Sequence, residues 1–328
     1  MMRVGIYRPR DLPRSFQVYA DNVEHHFPQM GVDVVHFEGP QIPADVDVLW
    51  DIRSGGGNPP LEFLLGRQPL VMTVHGFAPI HLSGWEYFRS IKGVLLSKKF
   101  AAEKRRGWQT RKDKVAALIA VSNFTKQEAL GFTQVHEQKI VVCQHGVNEE
   151  FVPSSPHSME DYFLHISNNE PRKNVDRIVD AFRSVKKDKT IQLKLKLPES
   201  QGERYRRVEG VSLLQGFMTT EELVRLYQHA RGFVFPSLYE GFGMPILEAM
   251  ACGCPVITST VSACPEVAGQ VALLVDPRNT AEIASAMAVL IEASMEKMQA
   301  FQQRGIVQAS QFSWEDCARR HVAVFSQV

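Results

Sequence analysis

Two carboxylates and two adjacent cations are the residues of this chain whose types and spacing promise chemistry. Glu240 and Glu248 stand with seven residues between them in FVFPSLYEGFGMPILEAMACGCP (Phe233 to Pro255), and Arg172 and Lys173 are neighbours in NEPRKN (Asn169 to Asn174). Carboxylates only accept hydrogen bonds, so a pair bordering one pocket suits a diol better than a bare anion. Arg172 brings a planar fork and Lys173 a point charge, a combination that can hold a diphosphate. His75, in VMTVHGF, is a third candidate, placed to bond a substrate hydroxyl. Each has a plainer reading alongside: a tight turn with one solvated and one helix-capping Glu, a solvated helix start, and a satisfied polar histidine.

These side chains need elements to aim them. Phe233, Val234 and Phe235 read as a buried strand, Pro236 and Ser237 stop it, and Pro245 fits the first turn of a helix from Met244. In the loop between, Gly241, Phe242, Gly243 and Met244 can turn backbone amides toward an oxygen-rich ligand near the positive helix end. NEPRKN likewise follows a predicted strand and precedes a helix, and His75 ends another strand, the side on which open α/β sheets bind ligands.

The rest of the chain repeats that alternation. Strands are expected at Val4–Tyr7, Val32–Phe37, Val46–Ile52, Leu70–Val74, Ala116–Val121 and Ile140–Cys143, with a helix from Ser15 to Met30 and a long helical region ending near Lys114. After a polar stretch at Pro153–His157, taken as a linker, further strands are expected at Tyr162–Ile166, Ile191–Leu195, Val211–Leu214, Phe233–Phe235, Val256–Thr258 and Val271–Val275. Thr219 and Glu222 form a capping box for the helix Leu223–Ala230. Helical spacing then runs from Asn279, breaks near Gly305 and restarts at Ser313. The expected architecture is α/β, two Rossmann-like doubly wound domains facing across a cleft, at 1–153 and 154–312, with the last helix, 313–328, packing back on the first.

Composition narrows the class. The 328 residues, 44% of them hydrophobic, exceed one ordinary domain, and a net charge of +1 argues against a dedicated nucleic-acid binder. The apolar run in MMRVGIYRPR is too short for a signal peptide and no stretch approaches eighteen apolar residues, so a soluble cytoplasmic protein is expected. Five cysteines, an odd number, suggest reduced thiols; Cys252 and Cys254 lack the second pair a zinc site needs.

The stretch EGFGMPILEAMACGCPVITS, with Glu240 and Glu248, resembles the glutamate signature of the retaining GT-B glycosyltransferases of family 4 (glycosyl transferases group 1). AVSNFTK (Ala120–Lys126), HGVNEEF (His145–Phe151, where the family usually has Asn in place of His145) and PEVAGQVALLVDP (Pro265–Pro277) extend the resemblance, which is strong from Tyr162 onward and weak before His75. The resemblance implies transfer of a hexose from a nucleoside-diphosphate sugar, GDP-mannose or a UDP-hexose, to a hydroxyl of a glycan or lipid-linked acceptor. It implies that Arg172, Lys173 and the amides of Gly241 to Met244 hold the departing diphosphate, Glu240 the hydroxyls of the transferred sugar and Glu248 the donor ribose. His75 would orient sugar or acceptor, and no metal or other cofactor is expected. The chain departs from the family at Ser167 and Asn168, where Gly-Arg is usual, so one phosphate cation is missing.

Other features stay open. Arg10 and Arg14, in a first loop without the family's glycine-rich turn, can touch a phosphate or an anionic acceptor, or be ordinary surface arginines. KKFAAEKRRGWQTRKDK (98–114) holds eight cations with Phe100 and Trp108; it can bring the protein to an anionic membrane surface as a peripheral contact, or be a solvated helix face. Asp45 and Asp47 make an Asp-x-Asp that chance produces easily. Two rival functions remain: a sugar-nucleotide epimerase of the same architecture, and a non-catalytic sugar-nucleotide-binding partner subunit. A nicotinamide-dependent dehydrogenase is disfavoured, because no G-x-G-x-x-G follows Val4–Tyr7.

Overall fold

The computed structural model describes residues 1–39, 41–54, 61–82, 84–88, 90–154, 159–168, 170–185 and 190–328. Residues 155–157 of the expected linker and Asn169 of the basic motif lie outside these. The chain forms two compact units, one of Met1–Gly84, Ser90–Gly146 and Phe312–Val328, the other of Trp85–Arg89 and Val147–Gln311.

The first unit holds a six-stranded parallel sheet: β1 (Met2–Tyr7), β2 (Val32–Phe37), β3 (Val48–Ser54), β4 (Leu70–Val74), β5 (Ala117–Ala120) and β6 (Ile140–Val142), in the order β2-β1-β3-β4-β5-β6. Its central strands carry continuous apolar runs because helices cover both faces; every residue of β4 and β5 is buried. The second unit repeats the plan with β7 (Tyr162–Ile166), β8 (Gln192–Lys196), β9 (Val211–Leu214), β10 (Gly232–Phe235), β11 (Val256–Ser259) and β12 (Leu273–Val275), ordered β12-β11-β10-β7-β8-β9. The winding reverses beside β1 in the first sheet and between β7 and β10 in the second, and at such points strand ends part to leave a crevice. The α/β architecture of two doubly wound parallel sheets is thus as expected.

Four details differ. The expected helix Ser15–Met30 stops at His25 and resumes as a 3₁₀ turn at Pro28–Met30, since Pro28 lacks the amide a continuing helix needs. β3 begins at Val48 and runs to Ser54, and β12 begins only at Leu273. The late helical run breaks twice: unexpectedly between Thr280–Ile291 and Met295–Ala309, where Ser294 caps the second through the amide of Lys297, and again after Ala309, with the expected restart at Ser313, which caps Trp314–Phe325. Gly305 lies inside the helix Met295–Ala309 and does not end it: a Cβ there would sit 3.6 Å from Met250 Cγ, an ordinary contact, so packing does not require glycine at this position. The last helix, Trp314–Phe325, belongs to the first unit. The capping box at Thr219 and Glu222 forms as expected. All five cysteines are free and buried.

Candidate functional site

In the second unit the loops leaving β7 and β10, at the switch point, bring Arg172, Lys173 and Glu240 together. Lys173 Nζ donates to Glu240 Oε1 at 2.7 Å and Arg172 Nη1 to Glu240 Oε2 at 3.0 Å. Arg172 Nη1 also reaches the Tyr239 carbonyl at 3.0 Å, and its Nε pairs with Glu170. Lys173 lies over the Phe235 ring, 4.7 Å from its centre. Lys173 and Glu240 are 9% and 7% exposed, so their charges interact through little water. Burial alone would raise the Glu240 carboxyl, but Lys173 and Arg172 hold it below its ordinary value. Burial lowers the Lys173 ammonium, against the pull of Glu240. For Arg172 the carboxylates of Glu240 and Glu170 outweigh burial and keep it firmly charged.

Local backbone makes this possible. Pro171–Lys173 forms one 3₁₀ turn that ends at Asn174 with φ 64°, a left-handed conformation that Asn tolerates. The Asn174 amide donates to the carbonyls of Pro236 (2.9 Å) and Pro277 (2.6 Å), and its oxygen accepts from Arg177 (2.8 Å). Three segments are thereby tied behind the two cations. On the carboxylate side, the Leu238 amide bonds the Arg172 carbonyl at 2.7 Å, and the Glu240 amide donates to Ser262 Oγ at 3.0 Å. Under the cluster His165 is buried; its Nδ1–H donates to the Val234 carbonyl (2.8 Å), leaving Nε2 to accept from Ser167 (2.8 Å). Burial lowers it to about 4, so it stays neutral beside Lys173.

The loop Gly241–Gly243 leads into the helix Met244–Ala251, whose N-cap Gly243 has φ 116° and no side-chain cap. Its first-turn amides therefore point out of the helix end, flanked by the buried Phe242. Glu248, one turn in, has its own partner: the Tyr227 hydroxyl donates to Oε2 at 3.1 Å. Burial pushes the Glu248 carboxyl up to about 7, against that hydrogen bond. Among the described residues no ion pair joins Glu248 to a cation, so the two glutamates occupy unlike settings. Asn168, in the family's arginine position, donates to Glu170 at 2.6 Å.

His75 belongs to the first unit. Its Nε2–H donates to the Ile52 carbonyl at 2.9 Å, and its ring packs on Phe16 (4.5 Å) and edge-on to Tyr19 (4.8 Å). Burial lowers it to about 4, which keeps it neutral with Nδ1 as the accepting nitrogen. Behind it runs a buried chain. His321 Nδ1–H donates to the Cys317 carbonyl (2.7 Å), so its Nε2 accepts from the Tyr19 hydroxyl (2.6 Å). Tyr19 meets Thr73 at 3.3 Å, and Thr73 accepts from Trp50 at 2.9 Å. His145 stacks on Trp314, with ring centres 5.4 Å apart.

The remaining candidates have ordinary partners. Arg10 pairs with Glu38 on the surface, and Arg14 is exposed. Asp45 pairs with the Arg3 guanidinium and Asp47 accepts from the Arg3 amide. The cationic run forms part of the helix Ile91–Arg111, and here one expectation is corrected: Trp108 is fully buried in the core of the first unit, away from any surface. Sequence reasoning missed Asn174, Ser262, His165 and Tyr227. Asn174 left a signal, an Asn directly after a short polar turn, whereas Tyr227 looks like any core-facing residue of its helix.

Comparisons with known proteins add the following. Residues 4–151 match the family model Glycosyltransferase Family 4, and residues 160–293 match Glycosyl transferases group 1. The O-antigen chain mannosyltransferase B of Escherichia coli is 32% identical over 234 residues, 65% of this chain and 61% of that protein. The serotype-specific mannosyltransferase WbdA of Escherichia coli is 29% identical over 241 residues, 66% of this chain and 29% of that protein. The chain therefore spans less than two thirds of the length of either relative. Anabaena Alr3699/HepE, solved with UDP-glucose, superposes with a TM-score of 0.75 at 15% identity, covering all of both chains. That likeness is one of fold, and the fold is GT-B.

Proposed function

Because this chain belongs to the group 1 glycosyl transferases, we propose that it transfers a hexose from a nucleoside-diphosphate sugar to a hydroxyl of a glycan or lipid-linked acceptor, with retention and without metal. Mannose is favoured by the relatives, an O-antigen chain mannosyltransferase and a serotype-specific mannosyltransferase. The observation that carries the reading is the buried group in which Lys173 and Arg172 each hold one oxygen of Glu240 at the switch point of the second sheet.

In this reading residues 154–312 hold the donor and 1–153 the acceptor side, with 313–328 returning to the latter. Arg172, kept charged by its carboxylate partners, and Lys173, paired with Glu240, stabilise the charge that develops on the departing diphosphate in a water-poor pocket, aided by the amides at the start of helix Met244–Ala251. Glu240, kept ionised by the same cations, accepts hydroxyls of the transferred sugar. Glu248, as carboxylate, accepts the ribose hydroxyls. The leaving phosphate oxygen takes the acceptor proton on the face from which it departs, which preserves the anomeric configuration. Neutral His75 accepts a hydroxyl at Nδ1 and orients sugar or acceptor.

A peripheral membrane contact fits the helix Ile91–Arg111. Its solvent side exposes Ile91, Leu95, Leu96 and Phe100 among Lys92, Lys98 and Lys99. No helix among the described residues is long and apolar enough to cross a membrane.

The test is to follow melting temperature with GDP, UDP and ADP, then product formation with the matching sugar nucleotide. One nucleotide should raise the melting point, because a ligand that binds only the native state stabilises it. NMR of the product should show retained anomeric configuration. No shift with any nucleotide, or an inverted product, would overturn the reading.

A further inference from the structure

Beside the Arg172 cluster, and within the same unit, lies a cavity of about 400 Å³ bounded by Trp85, Glu86, Pro171, Arg177, Asp180 and Leu238. Pro171 precedes Arg172, and the Leu238 amide bonds the Arg172 carbonyl, so the cavity shares a wall with the site already described. Its volume falls within the roughly 300–1,000 Å³ of ordinary small-molecule pockets.

Trp85 makes the cavity unusual. The chain has four tryptophans; Trp50, Trp108 and Trp314 are 1%, 0% and 6% exposed, and Trp85 is 58% exposed. An indole left in water on a short helix (Gly84–Phe88) contributes little to folding there, yet its helix is fixed: Arg278 Nε and Nη2 reach Glu86 at 2.9 and 2.7 Å. The ring is thus held facing an open cavity. Around it stand the carboxylates of Glu86, Asp176 and Asp180, with Arg177 as the one cation among the lining residues and the Thr280 hydroxyl nearby.

This lining discriminates between occupants. Glu86 and Asp176 are already paired with Arg278 and Arg204, so Asp180 and Arg177 are the charged groups the cavity offers. A nucleotide could stack on Trp85, but its diphosphate would meet one guanidinium beside a carboxylate, a balanced pair that suits a neutral ligand better. A simple apolar ligand would take the exposed Asp180 carboxylate out of water with no hydrogen bond in exchange. A neutral hexose satisfies both parts: its C–H face packs on the indole, its hydroxyls donate to Asp180, and its oxygens accept from Arg177. We propose that this cavity is a hexose-binding subsite for the acceptor glycan, with Trp85, which the acceptor-side sequence 1–153 contributes to this unit, as the stacking platform and Asp180 and Arg177 as hydroxyl partners. The assignment rests on the glycosyltransferase reading above and adds where a sugar unit other than the transferred one is held.

The exposed indole supplies the readout, since acrylamide quenching of this chain's fluorescence reports mainly Trp85. Adding an α-linked mannotriose to the full chain should cut the quenching constant about twofold or more, because pockets of this kind bury most of a ligand's contact face. Asp180→Asn should weaken the half-saturating concentration by roughly fivefold, as expected for loss of one charge-assisted hydrogen bond. Trp85→Phe should abolish the quenching signal while leaving the melting point unchanged. If mannotriose, glucose and galactose oligosaccharides all fail to shield Trp85 while a nucleoside diphosphate still raises the melting point, the subsite is refuted and the glycosyltransferase reading stands. Shielding by GDP or UDP in place of sugar would overturn the choice of occupant.

Discussion

Replacing Glu248 by Gln should make this protein more stable above neutral pH and no more stable in acid. Burial moves the Glu248 carboxyl from 4.5 to about 7. A raised carboxyl binds its proton more tightly in the fold than in the unfolded chain. The stability it lends is therefore fully present below about pH 4.5 and is lost as pH rises through 7. At about 1.4 kcal/mol per pH unit the full loss is about 3 kcal/mol, of which roughly 2 kcal/mol falls between pH 5 and pH 8. Gln cannot ionise and still offers an oxygen to the Tyr227 hydroxyl, which bonds Oε2 at 3.1 Å in the parent. Thermal unfolding of both proteins at pH 5, 6, 7 and 8 should show curves that separate with pH. The variant should gain about 5 °C at pH 8, given 2–4 °C per kcal/mol for a unit of this size. A gap that does not change with pH would refute the reasoning, because it would mean that ionisation of Glu248 is not the source. If Glu248 also binds the donor ribose as proposed, the same substitution should weaken nucleotide binding: stability rises while function falls.

Three further outcomes follow from the same structure. Glu240→Gln leaves Lys173 buried beside a neutral amide, so chemical denaturation should show a loss of roughly 2–4 kcal/mol, and Lys173→Met in the same chain should restore part of it in a double-mutant cycle. Burial depresses His321 to about 4, so the stability it contributes is present above its ordinary value of 6.5 and lost as pH falls toward 4; His321→Gln should flatten the acid limb of unfolding in that window. Flotation with phosphatidylglycerol vesicles should carry the protein upward, phosphatidylcholine vesicles should not, and Leu95→Glu with Leu96→Glu should abolish the effect; equal flotation on both lipids would argue against the cationic contribution.

How far the sequence foretold this depends on the range of the forces involved. Strand cores such as Leu70–Val74 and Gly232–Phe235 are legible because a buried parallel strand must be apolar throughout, a local property. The pairing of Arg172 and Lys173 with Glu240 was approached by inference, since both motifs follow strands of one domain, but their direct contact is a long-range fact about strand order. Gly305 misled because a helix interior glycine and a helix-ending glycine look alike in sequence, and only the backbone separates them: Gly31 turns left-handed after its helical turn, whereas Gly305 does not. Trp108 misled in the same way, since the helix rotates it into the core while Leu95 and Leu96, less conspicuous in sequence, face water. The unlike settings of the two glutamates depend on Tyr227, which arrives from a different helix and leaves no mark near Glu248.

The five buried thiols give this chain a built-in clock. Burial pushes Cys264 up to about 11 and Cys143 up to about 12, so neither is nucleophilic in the closed fold. Cys143 and Cys317 lie in the first unit, and Cys252, Cys254 and Cys264 in the second. A thiol reagent can then modify each only when its own surroundings open, at a rate set by that local opening. Mapping the modified cysteines by mass against time would read the breathing of each unit separately, from the natural sequence and with no label introduced.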